Sequence, residues 1–99
     1  MKNWKLYKDK KLLGEIEQTS SDYPWNYGTF HPNPEFETYK EMFEKAAYFT
    51  EQEDWDSKES EQAFRSIEEL NLSIEDSTNQ KLYEEVLLNL EGQEVAWRC

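Results

Sequence analysis

Residues 21–36, SDYPWNYGTFHPNPEF, gather five aromatic side chains, Tyr23, Trp25, Tyr27, Phe30 and Phe36, around three prolines and the only histidine of the chain, His31. Two readings compete for this stretch: a binding site, or the joint where a sheet hands over to a helix. The residue types favour the joint. Pro24 has no amide to give to a ladder and biases Tyr23 toward extended geometry, so residues 23–30 read as a strand, with Gly28 allowing a bulge or close packing. Asn33-Pro34 then reads as a helix start. Asparagine caps free amides, proline suits the first helical position, and Glu35 and Glu37 complement the positive end of the helix dipole. Phe30 and Phe36 are expected in the core, as a staple across the joint.

On the N-terminal side, residues 4–7 and 12–17 are apolar-rich runs separated by KDKK, the form of a β-hairpin with Trp4 and Leu6 on one face. The polar segment QTSSD, residues 18–22, reads as a loop within the domain. On the C-terminal side, Phe36, Tyr39, Phe43, Ala46 and Ala47 recur at helical spacing up to about Thr50, with Met42 and Phe49 widening the buried stripe. Asp56 and Glu59 predict a capping box, and Ala63, Phe64, Ile67 and Leu70 mark the inner face of a second helix. The short EQEDWD connection predicts a helical hairpin. Leu72 and Ile74 alternate in a short strand, residues 83–90 read as one longer strand, Glu91-Gly92-Gln93 as a turn, and residues 94–98 as a last strand with Val95 and Trp97 on its apolar face. The expectation is one α+β domain over residues 1–99, in the order βββααβββ: a mostly antiparallel sheet with a two-helix hairpin on one face.

Hydrophobic residues make up only 36% of the 99 and charged ones 33%, a balance near that of disordered chains. The 15% of aromatic residues decides against disorder, because a few large rings supply the apolar area for a core. The formal charge of −11 argues against contact with nucleic-acid phosphates, which calls for clustered Lys and Arg. The charge is unevenly spread: the first thirteen residues hold five Lys and one Asp, so the first hairpin reads as a basic edge on an acidic body. No apolar run approaches the roughly 20 residues of a membrane span, and no secretory apolar region follows Met1. The single cysteine, Cys99, has no internal disulfide partner, and a reducing cytoplasm is the expected compartment.

W-x-L-Y near the start, L-L-G-E-I in the second strand, Y-P-W-x-x-G-x-F-x-P-x-P-x-F into the first helix and the closing L-L-x-L-x-G-x-E together resemble a family of small uncharacterised bacterial proteins. Relatives carry Asp-Gly in the first turn and Phe-Pro-Trp in the middle motif, where this chain has Asp9-Lys10 and Tyr23-Pro24-Trp25. The resemblance covers nearly the whole chain and implies a single domain. It implies no activity and transfers no catalytic residue.

The residues themselves offer no metal or cofactor site. His31 has no second histidine or C-x-x-C to act with, and DWD at 54–56 lacks the ligand spacing and glycine of a calcium loop. Cys99 and the serines lack a nucleophile motif, and the glycines are too scattered for a phosphate loop. Residues 35–61 hold ten acidic and three basic residues, a net −7 on the helical hairpin. Glu41 with Lys45, Asp54 with Lys58 and Glu61 with Arg65 have the i,i+4 spacing of a solvated, self-paired face. Alternatively Glu37, Glu41, Glu44, Glu51, Glu53 and Asp54 attract a basic protein, with Trp25 and Tyr27 as anchors. The expected function is a non-enzymatic acidic protein-binding domain, an inhibitor or immunity-type protein that blocks a basic surface, with no cofactor. The rival is a small enzyme or ligand-binding protein with a pocket near His31 and the aromatic loop. A third reading pairs the basic first hairpin, as a sheet edge, with another chain.

Overall fold

A computed structural model describes residues 2–98, so Met1 and the expectations resting on Cys99 lie outside the described residues. Three strands, β1 (Asn3–Lys8), β2 (Lys11–Asp22) and β3 (Trp25–Pro32), lead through a 3-10 turn (Pro34–Thr38) to two helices, α1 (Lys40–Glu51) and α2 (Lys58–Glu68). Four strands follow: β4 (Leu72–Asp76), β5 (Lys81–Tyr83), β6 (Leu87–Glu91) and β7 (Glu94–Arg98). All seven form one antiparallel sheet in the order β5-β4-β1-β2-β3-β7-β6.

The α+β expectation holds, and the order is corrected from three closing strands to four. Residues 83–90 do not form one strand. β5 lies at one margin of the sheet and β6 at the other, with only Glu84, Glu85 and Val86 between them. In a flat sheet six strand intervals would separate these margins by about 29 Å. Four Cα steps reach no more than about 15 Å. The sheet therefore curls until its margins approach. Trp4 of β1 and Trp97 of β7, three intervals apart, bring their ring centroids within 5.6 Å, and Trp4 lies 6.1 Å from Tyr83 of β5.

Strand alternation assigns Trp4, Leu6, Ile16, Phe30, Ile74, Leu88, Leu90, Val95 and Trp97 to the concave side, where they form one core cluster with Phe36, Phe43 and Leu70 of the helical segment. Trp97 is 0% exposed, and its Nε1–H is the one buried side-chain donor without an acceptor among the described residues. Beside it a polar chain is complete: Trp4 Nε1 donates to Gln18 Oε1 at 2.9 Å, and Gln18 Nε2 donates to Asn26 Oδ1 at 3.2 Å.

The opening stretch is a joint. A register shift at Leu6/Tyr7 leaves Leu13 as the extra residue of a bulge in β2, and that bulge receives the helix start. The Asn33 N–H donates to Leu13 O at 3.0 Å and its Nδ2 to Leu12 O at 2.8 Å, while its Oδ1 accepts from the Glu35 N–H at 2.9 Å. One residue thus caps the 3-10 turn and fastens it to the sheet. Phe30 and Phe36 meet edge to face at 4.9 Å. The expected helix from Pro34 is divided: its first turn is 3-10 and the α-helix begins at Lys40. Gly14 lies under the joint, where an added Cβ would stand 2.6 Å from His31 O and 2.7 Å from the Phe30 ring.

Three further expectations are corrected. Residues 18–22, read as a loop, continue β2 and pair with the start of β3 across a two-residue turn at Tyr23-Pro24, whose peptide bond is cis. Side chains 19–24 are all exposed, so the backbone ladder runs beyond the core and nothing selects apolar residues there. The extended chain after Pro24 accordingly starts at Trp25. The second helix is capped by Ser57, whose Oγ accepts from the Ser60 N–H at 3.1 Å, in place of the Asp56–Glu59 box. Finally, the basic first hairpin is no edge, since β1 and β2 lie at the centre of the sheet.

Candidate interaction surface

On α1 the buried stripe runs through Phe43 and Ala46, and a 100° rotation per residue sets Glu41 and Tyr48 at the middle of the opposite face, with Glu44 and Glu51 on one side of them and Lys45 on the other. All three glutamates are exposed, and Tyr48 is 57% exposed. Glu37, on the preceding 3-10 turn, is exposed too, and shares with Glu44 and Lys40 the rim of a hollow of about 240 Å³. The expected pairs Glu41–Lys45, Asp54–Lys58 and Glu61–Arg65 are not made. Among the described residues the ion pair within the helices is Lys40–Glu44, at 3.9 Å between two half-exposed side chains. The other acids of this face have no such partner, so its negative field is left largely uncompensated.

At the far end of α1, Glu53 adopts φ 53° and is exposed, whereas Asp54 is committed to structure. Asp54 accepts from the Ser57 N–H at 3.1 Å and the Ser57 hydroxyl at 2.8 Å, and these bonds hold its carboxyl below the usual carboxylate range. Asp54 therefore also serves as a cap of the interhelical turn. Between Asp54 and Asp56, Trp55 is 56% exposed and stacks on Phe64 at 5.7 Å.

The sequence-predicted anchors stand elsewhere. Tyr27, 38% exposed, alternates out of the core with Ser20 and Ala96 as cross-strand partners, and borders a hollow that α1 lines through Ala46, Ala47 and Thr50, not through its glutamates. Trp25 is half-buried at the start of β3. The two aromatics that do stand among the helical acids, Tyr48 and Trp55, were not singled out by sequence reasoning. The α1 periodicity carried the signal for Tyr48, which falls seven residues after Glu41 and five after buried Phe43, on the polar side of the wheel.

His31 is exposed on the outer face of β3, opposite Glu15 in register, and no ion pair joins them. A hollow of about 540 Å³ between α1 and the β6–β7 hairpin is lined by Ala46, Ala47, Thr50, Leu88, Leu90 and Val95. His31 lines neither this hollow nor the one of 240 Å³. Among the described residues no three His, Cys, Asp or Glu side chains group as metal ligands, and no helix is long and apolar enough to cross a membrane. No family model, curated protein or solved structure matches the chain.

Proposed function

We propose that this chain is a non-enzymatic acidic protein-binding domain, an inhibitor or immunity-type protein that covers a basic surface of its target. The observation that carries the reading is the setting of Tyr48: a large aromatic ring, 57% exposed, on a helix face with Glu44, Glu51 and Lys45 one turn away and Glu41 two turns back, three acids to one base. The net negative charge, with Glu41 and Glu51 unpaired among the described residues and Glu44 shared with Lys40, steers a cationic partner to the face, and the ring gives it an apolar and cation–π contact once there. Trp55 beside Glu53 and Asp56 repeats the arrangement at the end of the hairpin. The rival reading of a pocket at His31 draws no support from a residue that stands on an open strand face.

The test is kinetic. A target captured from native lysate is identified by mass spectrometry, and its association rate is measured at low and physiological salt. Wild-type association falls as salt rises, because screening shortens the field. The variant Glu37→Gln/Glu41→Gln/Glu44→Gln folds normally, since exposed charges add little stability, yet associates more slowly and loses part of the salt dependence. Equal rates for the two proteins at low salt would return this face to simple solvation.

A further inference from the structure

The short crossing from β5 to β6 has a structural by-product. Three residues stretched between the two margins of a curled sheet lie over a gap, which α2 closes from one side only. The result is a hollow of about 720 Å³, within the range of sites that hold one ligand-sized group. Its floor is apolar, with Ile67, Leu72 and Val86, and the indole of Trp25 forms one wall. Its rim is acidic: Glu68 at the end of α2, and Glu84 and Glu85 in the crossing itself, all exposed. Arg98 is the only cation in the lining, against three carboxylates, and among the described residues no ion pair neutralises any of the three.

An occupant must therefore match an apolar depth and a negative mouth at once. A metal ion or a simple ammonium would leave the floor unused, and an aliphatic group would leave the carboxylates unanswered. A long apolar stem ending in a planar cation meets both demands, because the methylenes lie on the floor while the guanidinium stacks on an indole and bonds carboxylates through its fork of N–H donors. Resting on the reading of the chain as a binder of basic proteins, we infer that this hollow receives an arginine side chain of the partner, with Trp25 as stacking wall and Glu68, Glu84 and Glu85 as its counter-charges. Trp25 then has a binding role after all, as one side of a socket.

The inference is tested on the full ¹⁵N-labelled chain, titrated at low salt with acetyl-Gly-Arg-Gly-amide and with its citrulline counterpart, which keeps the shape and lacks the charge. The arginine peptide is expected to shift the Trp25 indole signal and the amides of residues 84–88 and 67–71 in a saturable way, while the citrulline peptide leaves them in place. The variant Glu84→Gln/Glu85→Gln, altered only at exposed positions of an irregular segment, keeps the wild-type spectrum and binds roughly two- to thirtyfold more weakly, the range for two solvent-exposed charge contacts. Shifts confined to the Tyr48 face would overturn the socket and leave the wider binding reading standing. Equal shifts with citrulline would overturn it too, by removing the charge from the recognition. Failure of the wider reading has a separate signature, association with the captured target that ignores the α1 glutamates.

Discussion

Strands β1, β2 and β3 lie side by side in the order in which the chain makes them, joined by two-residue turns, whereas β4 to β7 are parted between the two margins of the sheet. The first group closes loops of a few residues and is held by neighbouring hairpins. The second is held by reach: β4 adds to β1 across both helices, and β7 adds to β3 from the far side. Entropy of loop closure grows only slowly with length, so the distant pairings cost little more than local ones once a large side chain rewards them. Trp97 and Trp4 supply that reward where the two groups meet. The lesson is that a half-polar chain of this size concentrates its long-range cohesion in a few rings.

The strongest way to break this comparison is to remove a ring. Trp97→Ala is expected to cost about 3–5 kcal/mol, a large share of the stability of a domain this small, read as the loss of urea midpoint by circular dichroism. Leu82→Ala in β5, at a position 48% exposed, should stay within about 0.5 kcal/mol. Similar losses from both would mean that cohesion is spread over the C-terminal strands and is not focused on the ring.

A change of intermediate size probes the local group. Gly14→Ala would drive a methyl into a carbonyl oxygen and the Phe30 ring, and a backbone wall yields less readily than the tip of a side chain. Overpacking of this kind typically costs about 1–3 kcal/mol, checked in the same titration. A neutral Gly14→Ala would show that the β2–β3 joint gives way more easily than the bulge geometry implies.

The smallest effect concerns the seam between the groups. Asp76, buried in β4, is pushed up by desolvation, but the Thr78 N–H at 2.9 Å and the Lys2 ammonium at 3.1 Å outweigh this and leave its carboxyl below the ordinary value of 3.8. A depressed pKa means that the folded state binds the proton less readily than the unfolded one. Its contribution to stability is therefore present above about pH 4 and is lost as pH falls through the folded value. Asp76→Asn should flatten the acid limb of the stability curve below about pH 4, measured as urea midpoints from pH 6 to pH 2. An unchanged limb would assign acid sensitivity to other carboxylates.

The contrast also explains what could be read beforehand. Trp4 with Leu6, Asn33-Pro34 and Val95 with Trp97 announce themselves through alternation or capping chemistry, which act within a few residues. The break at Glu84–Glu85 depends on a distant fact, that the margins of the sheet approach. Even so, it left a trace: inward positions are odd at Tyr83 and even at Leu88 and Leu90, a change of parity that one continuous strand cannot accommodate. Residues 18–22 look like a loop for the opposite reason: from Thr19 on, the ladder has water on both sides, which leaves no apolar mark. Of the candidate surface, the acidic character of α1 was legible from composition and spacing. That Trp25 and Tyr27, two positions apart on one strand, line different hollows was not, because it depends on where α2, the β5–β6 crossing and the β6–β7 hairpin come to lie along β3.

The tip of the β2–β3 hairpin is held by its backbone ladder and by long bonds from Thr19 Oγ1 to Tyr27 O and from Gln18 Nε2 to Ser20 O, both 3.4 Å, with its side chains from Thr19 to Pro24 exposed. Letters and lengths are negotiable in such a segment, because no packing partner vetoes a change. It ends at Trp25, on the wall of the hollow. Substitutions or insertions at the tip would alter the outline presented beside that indole while every core contact stays in place, so this one corner of the scaffold is free to change shape without cost to the core.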